Sequence, residues 1–158
     1  MKEWSKFRDQ LFTTVSREIL KSDIPLTGTP NLDVESFGLQ YYDSRKLQSQ
    51  EDDYNPAHMD SGTLSILIRA SEEFDGLEVA DRESTKELGS ERIGLTASFL
   101  SVPANPDEIV VLAGTRLQRL VGKDKVCACV HRVRGPGTNK QHSPQKRISG
   151  GLFCGPSL

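Results

Sequence analysis

Residues 58–67 read His58-Met59-Asp60-Ser61-Gly62-Thr63-Leu64-Ser65-Ile66-Leu67. The second half, continued by Ile68 and Arg69, is rich in Leu and Ile and reads as a strong β-strand from Thr63 to Arg69. The first half carries the chemistry. Side chains at i and i+2 of an extended chain project to one side, so the His58 imidazole and Asp60 carboxylate point together, with Met59 turned away. Taken alone, such a pair reads as a hydrogen-bonded surface pair. Its meaning depends on what the rest of the chain brings to it.

Outward from this stretch the chain is β in character. Phe37 to Tyr42, Gly76 to Val79, Leu95 to Val102, Glu108 to Leu112, Leu117 to Leu120, Val126 to Val133 and Arg147 to Phe153 are further strand candidates. With Thr63 to Arg69 they make about eight short strands separated by turns, which favours a sandwich or barrel over an α/β fold. Asp43 to Asn55 is a polar stretch ended by Pro56, residues 81–92 form a charged loop, and Gly135 to Pro144 form another loop. Ahead of the strands, Trp4, Phe7, Leu11, Val15 and Ile19 recur at helical steps, and Asp23 and Pro25 end the pattern. This N-terminal amphipathic helix needs a surface for its apolar face, and the expected one is the outside of the domain's own sheet. The expected organisation is a helix within residues 1–25 and a domain over residues 37–154.

Composition removes several classes. A chain of 158 residues is sized for one domain with its own core. Its 20 basic and 22 acidic residues leave a net charge of −2, against a cationic nucleic-acid-binding surface. No apolar run nears the roughly 20 residues of a membrane helix, and the charged start Met1 to Asp9 has no signal-peptide core. Of the three cysteines, Cys127, Cys129 and Cys154, none forms a C-x-x-C pair. The odd count suits reduced thiols and a cytoplasmic setting. Cys127 and Cys129 share parity with His131 and read as packing residues facing the interior.

His131 lies in the apolar run Val126 to Val133. It reads by itself as a core histidine with satisfied hydrogen bonds. Two histidines and one carboxylate, however, also compose the facial triad of non-haem iron(II) oxygenases. Arg147-Ile148-Ser149 repeats the i, i+2 pattern with a guanidinium and a hydroxyl. That pair can be an exposed feature of an edge strand, or it can grip a carboxylate through the guanidinium fork.

These segments, in this order, resemble the iron(II)- and 2-oxoglutarate-dependent dioxygenase superfamily, in its isopenicillin N synthase-like branch. His58 to Leu67 is similar to that family's HTDHSTLTLL segment, and Gly76-Leu77-Glu78-Val79 to its GLQV. Glu108 to Gln118 is similar to its ALVVNIGDLLQ strand pair, His131-Arg132-Val133 to its HRV, Arg147-Ile148-Ser149 to its RYS, and Phe37 to Tyr42 to its LRLNYY.

The resemblance implies a mainly β fold, the double-stranded β-helix or jelly roll. It implies that His58, Asp60 and His131 are the catalytic metal ligands. It implies that Arg147 and Ser149 bind the distal carboxylate of 2-oxoglutarate, with Tyr42 adding a hydroxyl. Gln40, which stands where relatives often carry asparagine, would be a further co-substrate contact. The implied cofactors are Fe(II), 2-oxoglutarate as co-substrate, and ascorbate. The implied partners are a small-molecule substrate and dioxygen, with no nucleic acid and no membrane; oligomeric state is not legible. The implied activity couples oxidative decarboxylation of 2-oxoglutarate to C–H oxidation, by hydroxylation, desaturation or cyclisation. The alternatives are a truncated or non-catalytic barrel acting as a binding module, and an iron oxidase independent of 2-oxoglutarate.

Overall fold

The computed structural model describes residues 32–43, 53–69, 76–82, 97–103, 108–135 and 146–156, together with Gln10 and Thr14. Among the described residues the strands are β1 (Leu32–Asp43), β2 (Asp53–His58), β3 (Leu64–Arg69), β4 (Leu77–Ala80), β5 (Phe99–Ser101), β6 (Ile109–Ala113), β7 (His131–Arg134) and β8 (Lys146–Pro156). A helix, α1 (Thr115–Val121), follows β6.

The strands form two antiparallel four-stranded sheets, ordered β1-β8-β3-β6 and β2-β7-β4-β5. Eight strands in two such sheets make a jelly roll, as expected from the sequence. β3 lies between β8 and β6, and Leu64, Ser65 and Ile66 are all buried, so both of its faces are covered. That accounts for its near-continuous apolar run. β7 alternates instead: His131 and Val133 are buried, while Arg132 and Arg134 lie outward. Arg132 stands opposite Glu78 on β4, holds its carboxylate at 2.6 Å, and lies 3.9 Å from the centre of the Phe99 ring on β5. Its other nitrogen is 3.8 Å from Asp53 on β2. One side chain thereby ties β7 to the other three strands of its sheet.

Three expectations are corrected. Leu117 to Leu120 is part of a helix, not a strand. Leu117 and Val121 are its buried residues, four apart on one helical face, and Leu120 is exposed. Gly122, at φ 94°, ends the helix with its N–H donated to the Gln118 carbonyl. Val126 to Val133 is a strand only from His131 onward. Before that, the backbone is satisfied irregularly: the Ala128 N–H donates to Gln118 Oε1 at 2.8 Å, and the Cys129 N–H to the Ala113 carbonyl at 2.8 Å. The cysteine parity with His131 therefore does not apply. Ala128 and Val130 are buried, and Cys127 and Cys129 are half-buried free thiols.

The third correction is β2, inside what reads as a polar stretch punctuated by Pro56. A proline lacks the N–H a central strand needs, but an edge strand tolerates it. β2 is an edge strand, with irregular register on either side of Asn55. Leu95 to Val102 contributes only β5 among its described residues. The amphipathic helix and most of the two expected loops lie outside the described residues. No described helix is long and apolar enough to cross a membrane.

Candidate metal and co-substrate site

His58 ends β2 and His131 begins β7, and the ladder sets them opposite each other. Their ring centres are 4.3 Å apart. Asp60 follows β2 in an irregular segment, so strand parity with His58 is not what places it. A turn brings it instead. His58 Nε2 lies 3.6 Å from Asp60 Oδ1, and His131 Nε2 lies 3.8 Å from Asp60 Oδ2. One donor atom from each residue falls within 4.8 Å of the others.

The turn is held from α1. The Thr115 N–H donates to the Asp60 carbonyl at 2.8 Å and the Arg116 N–H to the Gly62 carbonyl at 3.1 Å. These first-turn N–H groups have no partner within a helix, so the turn supplies one. Gly114 permits the approach: a Cβ there would sit 2.1 Å from the Gly62 carbonyl oxygen.

Hydrogen bonds also fix the rings. His58 Nδ1 lies 2.8 Å from the Pro56 carbonyl, and His131 Nδ1 lies 3.1 Å from the Cys129 carbonyl. A carbonyl only accepts, so each Nδ1 carries the proton and each Nε2 keeps its lone pair for the shared centre.

The charges are tuned in opposite directions. Once protonated, the His58 ring is stabilised by a hydrogen bond to Asp60, which raises its pKa above its ordinary value, against the effect of burial. Burial lowers that of His131. Burial pushes the Asp60 carboxyl up, but the hydrogen bond His58 gives when protonated, the hydrogen bond from Ser65 and the nearby imidazoles outweigh it and hold it below the ordinary range. Burial, with the Asp60 charge behind it, pushes the Cys129 thiol up to about 11, which leaves it a protonated packing group.

Arg147 and Ser149 lie on β8, a central strand, and are 3% and 4% exposed, while Ile148 between them is 49% exposed. The alternation is as expected, and the edge-strand reading of this pair is excluded. Across the ladder, Tyr42 faces Arg147 and Gln40 faces Ser149. The Tyr42 hydroxyl donates to Gln40 Oε1 at 2.9 Å, and the Ser149 hydroxyl lies 3.5 Å from the same oxygen.

A cavity of about 70 Å³ between the sheets is lined by His58, Asp60 and His131 together with Gln40, Arg147 and Ser149. Asn55, Leu67, Leu77, Val133 and Phe153 complete its wall. Two side chains here are not singled out by the sequence. Asn55 belongs to β2, which reads as a polar stretch. Ser65, whose hydroxyl donates to Asp60 Oδ2, is fully buried; its signal is a lone hydroxyl in an otherwise apolar run. The donor set itself, two imidazoles and a carboxylate, suits iron(II).

Residues 34–156 match the family model of the 2OG-Fe(II) oxygenase superfamily, and the chain belongs to that family. The isopenicillin N synthase-like resemblance is consistent with it. The cofactors of the family are iron(II) and 2-oxoglutarate, and His58, Asp60 and His131 form a group able to hold the ion. Among solved structures, the chain is similar to a full-length Neurospora crassa protein in complex with alpha-KG. The identity is 24% and the TM-score 0.57, over 77% of this chain and 36% of that one. The same Neurospora crassa protein with alpha-KG and thymine gives 25% identity and a TM-score of 0.56, over 77% and 33%. The dioxygenase for auxin oxidation 1 from Arabidopsis thaliana, as its 2-oxoglutarate complex, gives 21% and 0.52, over 77% and 38%. The chain thus spans about a third of the length of these structures. No curated protein sequence matches it.

Proposed function

We propose that this chain is the catalytic barrel of a 2-oxoglutarate-dependent iron(II) oxygenase that oxidises a C–H bond of a small organic substrate. The observation that carries the reading is one cavity lined by both clusters, the His58–Asp60–His131 donors and the Arg147–Ser149–Gln40 group. His58, Asp60 and His131 hold the metal through Nε2, a carboxylate oxygen and Nε2. Arg147 offers its planar fork to the far carboxylate of the co-substrate, and Ser149 adds a hydroxyl. The Tyr42 hydroxyl, donated to Gln40 Oε1, orients Gln40 beside that pair, and the Gln40 amide N–H groups remain free to donate to the same ligand; Tyr42 would give its own hydroxyl to the co-substrate only by releasing Gln40.

Charge supports the assignment. Asp60 and a dicarboxylate bring three negative charges, and Arg147 and a divalent ion bring three positive ones. A buried site favours such neutrality, since unpaired charge away from water is costly. When bound, iron(II) supplies dioxygen activation coupled to decarboxylation of 2-oxoglutarate. Leu67, Leu77, Val133 and Phe153 keep the wall apolar and limit water.

The test is an anaerobic titration of the protein with iron(II), then 2-oxoglutarate, followed in the visible spectrum. A keto acid chelating ferrous iron gives a weak charge-transfer band, expected here and expected to vanish in Asp60→Ala. Iron binding without the band would exclude the 2-oxoglutarate site; absence of iron binding would exclude the metal site.

A further inference from the structure

Asp60 differs from the two histidines in how it is held. His58 and His131 lie on paired strands, and each ring is anchored by a backbone carbonyl. Asp60 lies beyond the strand, where no pleat fixes its carboxylate. Its backbone is tied by the Thr115 N–H, but that bond leaves rotation of the side chain free. The restraint on the carboxylate comes from Ser65. This hydroxyl sits on β3 at 0% exposure and donates to Asp60 Oδ2. β3 is paired on both sides, by β6 and β8, so the hydroxyl is delivered from one of the most firmly held strands of the sheet.

We propose that Ser65 is a positioning residue for the metal, locking the Asp60 carboxylate so that it ligates through one oxygen. With Oδ2 occupied by the Ser65 proton, Oδ1, the oxygen 3.6 Å from His58 Nε2, is left for the ion. A carboxylate free to turn would chelate with both oxygens or swing away. Either would consume or lose a coordination position that a three-ligand site keeps open for co-substrate and dioxygen. Groups that orient metal ligands in this way typically matter by about ten- to a hundredfold in metal affinity. The inference rests on the reading of the site as a metal centre.

The experiment uses cobalt(II), whose d–d absorption reports coordination, titrated into the parent protein, Ser65→Ala and Ser65→Thr, with melting of each metal-free protein as a fold control. Ser65→Ala is expected to melt as a folded protein, to bind cobalt(II) about ten- to a hundredfold more weakly, and to show an altered d–d spectrum. Ser65→Thr, which keeps the hydroxyl, is expected to restore the parent spectrum and most of the affinity. Parent-like affinity and spectrum in Ser65→Ala would overturn the proposal. So would a loss in Ser65→Thr equal to that in Ser65→Ala, because the residue would then act by packing alone. Failure of the parent to bind cobalt(II) is a distinct result: it overturns the metal-site reading, and the inference with it.

Discussion

Tyr42 stands opposite Arg147 in the β1–β8 ladder, and the guanidinium carbon lies 5.1 Å from the centre of the tyrosine ring. That is within the range in which a cation is attracted to a ring face. The contact holds a buried guanidinium on the cavity side of the sheet, and Ser149 Oγ lies 3.5 Å from Arg147 Nη1. The arginine is therefore oriented before any ligand arrives.

Arg147→Lys keeps the charge but loses the planar fork. A hydrogen bond to a charged group contributes about 1.5–3 kcal/mol, so 2-oxoglutarate affinity is expected to fall by about ten- to a hundredfold. Iron(II) affinity should stay unchanged, because Arg147 is not one of the three residues of the metal-binding group. Titrating the charge-transfer band separates the two constants, and an equal loss in both would contradict the assignment.

Asp60→Asn and Asp60→Ala should both lose iron(II), yet differ in stability. Each keeps the backbone carbonyl that accepts from Thr115, so the turn survives. Asn still offers an oxygen to the buried Ser65 hydroxyl, whereas Ala leaves it without an acceptor, at a cost of about 1–3 kcal/mol. Chemical denaturation of the metal-free variants should place Asp60→Ala below Asp60→Asn.

Iron(II) affinity should weaken as pH falls. Metal binding needs neutral imidazoles. The hydrogen bond to Asp60 raises His58 above its ordinary 6.5, so this ring takes up its competing proton at a higher pH than a free histidine. His131, lowered by burial, protonates later. Asp60 stays ionised across the range because its pKa is held below the ordinary value. Anaerobic dissociation constants measured from about pH 8 to about pH 5 should rise continuously toward acid; a flat profile would remove His58 from the ligand set.

Gly114→Ala should damage the site from a distance. The residue has φ −93° and ψ 171°, which any residue adopts, so space rather than backbone freedom requires glycine. A Cβ would meet the Gly62 carbonyl oxygen at 2.1 Å, and the backbone on both sides is hydrogen-bonded in place. The variant is expected to lose stability near the upper end of the roughly 1–3 kcal/mol typical of overpacking. Because the displaced turn carries Asp60, iron(II) affinity should fall as well. Denaturant melts and metal titration on the same sample read both effects.

Periodicity in the chain was enough for the elements that alternate or run apolar without interruption. The burial of Arg147 and Ser149 around exposed Ile148, the inward His131 and Val133, and the core strand β3 all follow from the pleat, which sends alternate side chains to opposite faces. Order along the chain also sufficed to recognise the family, because the segments resembling its motifs are local. The remainder depended on contacts between residues far apart in sequence. Four residues of the Thr115–Val121 segment suit a strand or a helix, and it is helical because Leu117 and Val121 find burial on one side while the turn at Asp60 and Gly62 takes up its free N–H groups. β2 contains a proline and exists because an edge position needs no hydrogen bond from it. The chain displayed a histidine and a carboxylate two residues apart, but their strand parity was not the cause of their meeting. Asp60 reaches the two histidines because α1, far along the chain, holds its backbone, and the turn so fixed lets Ser65, five residues on, hold its carboxylate.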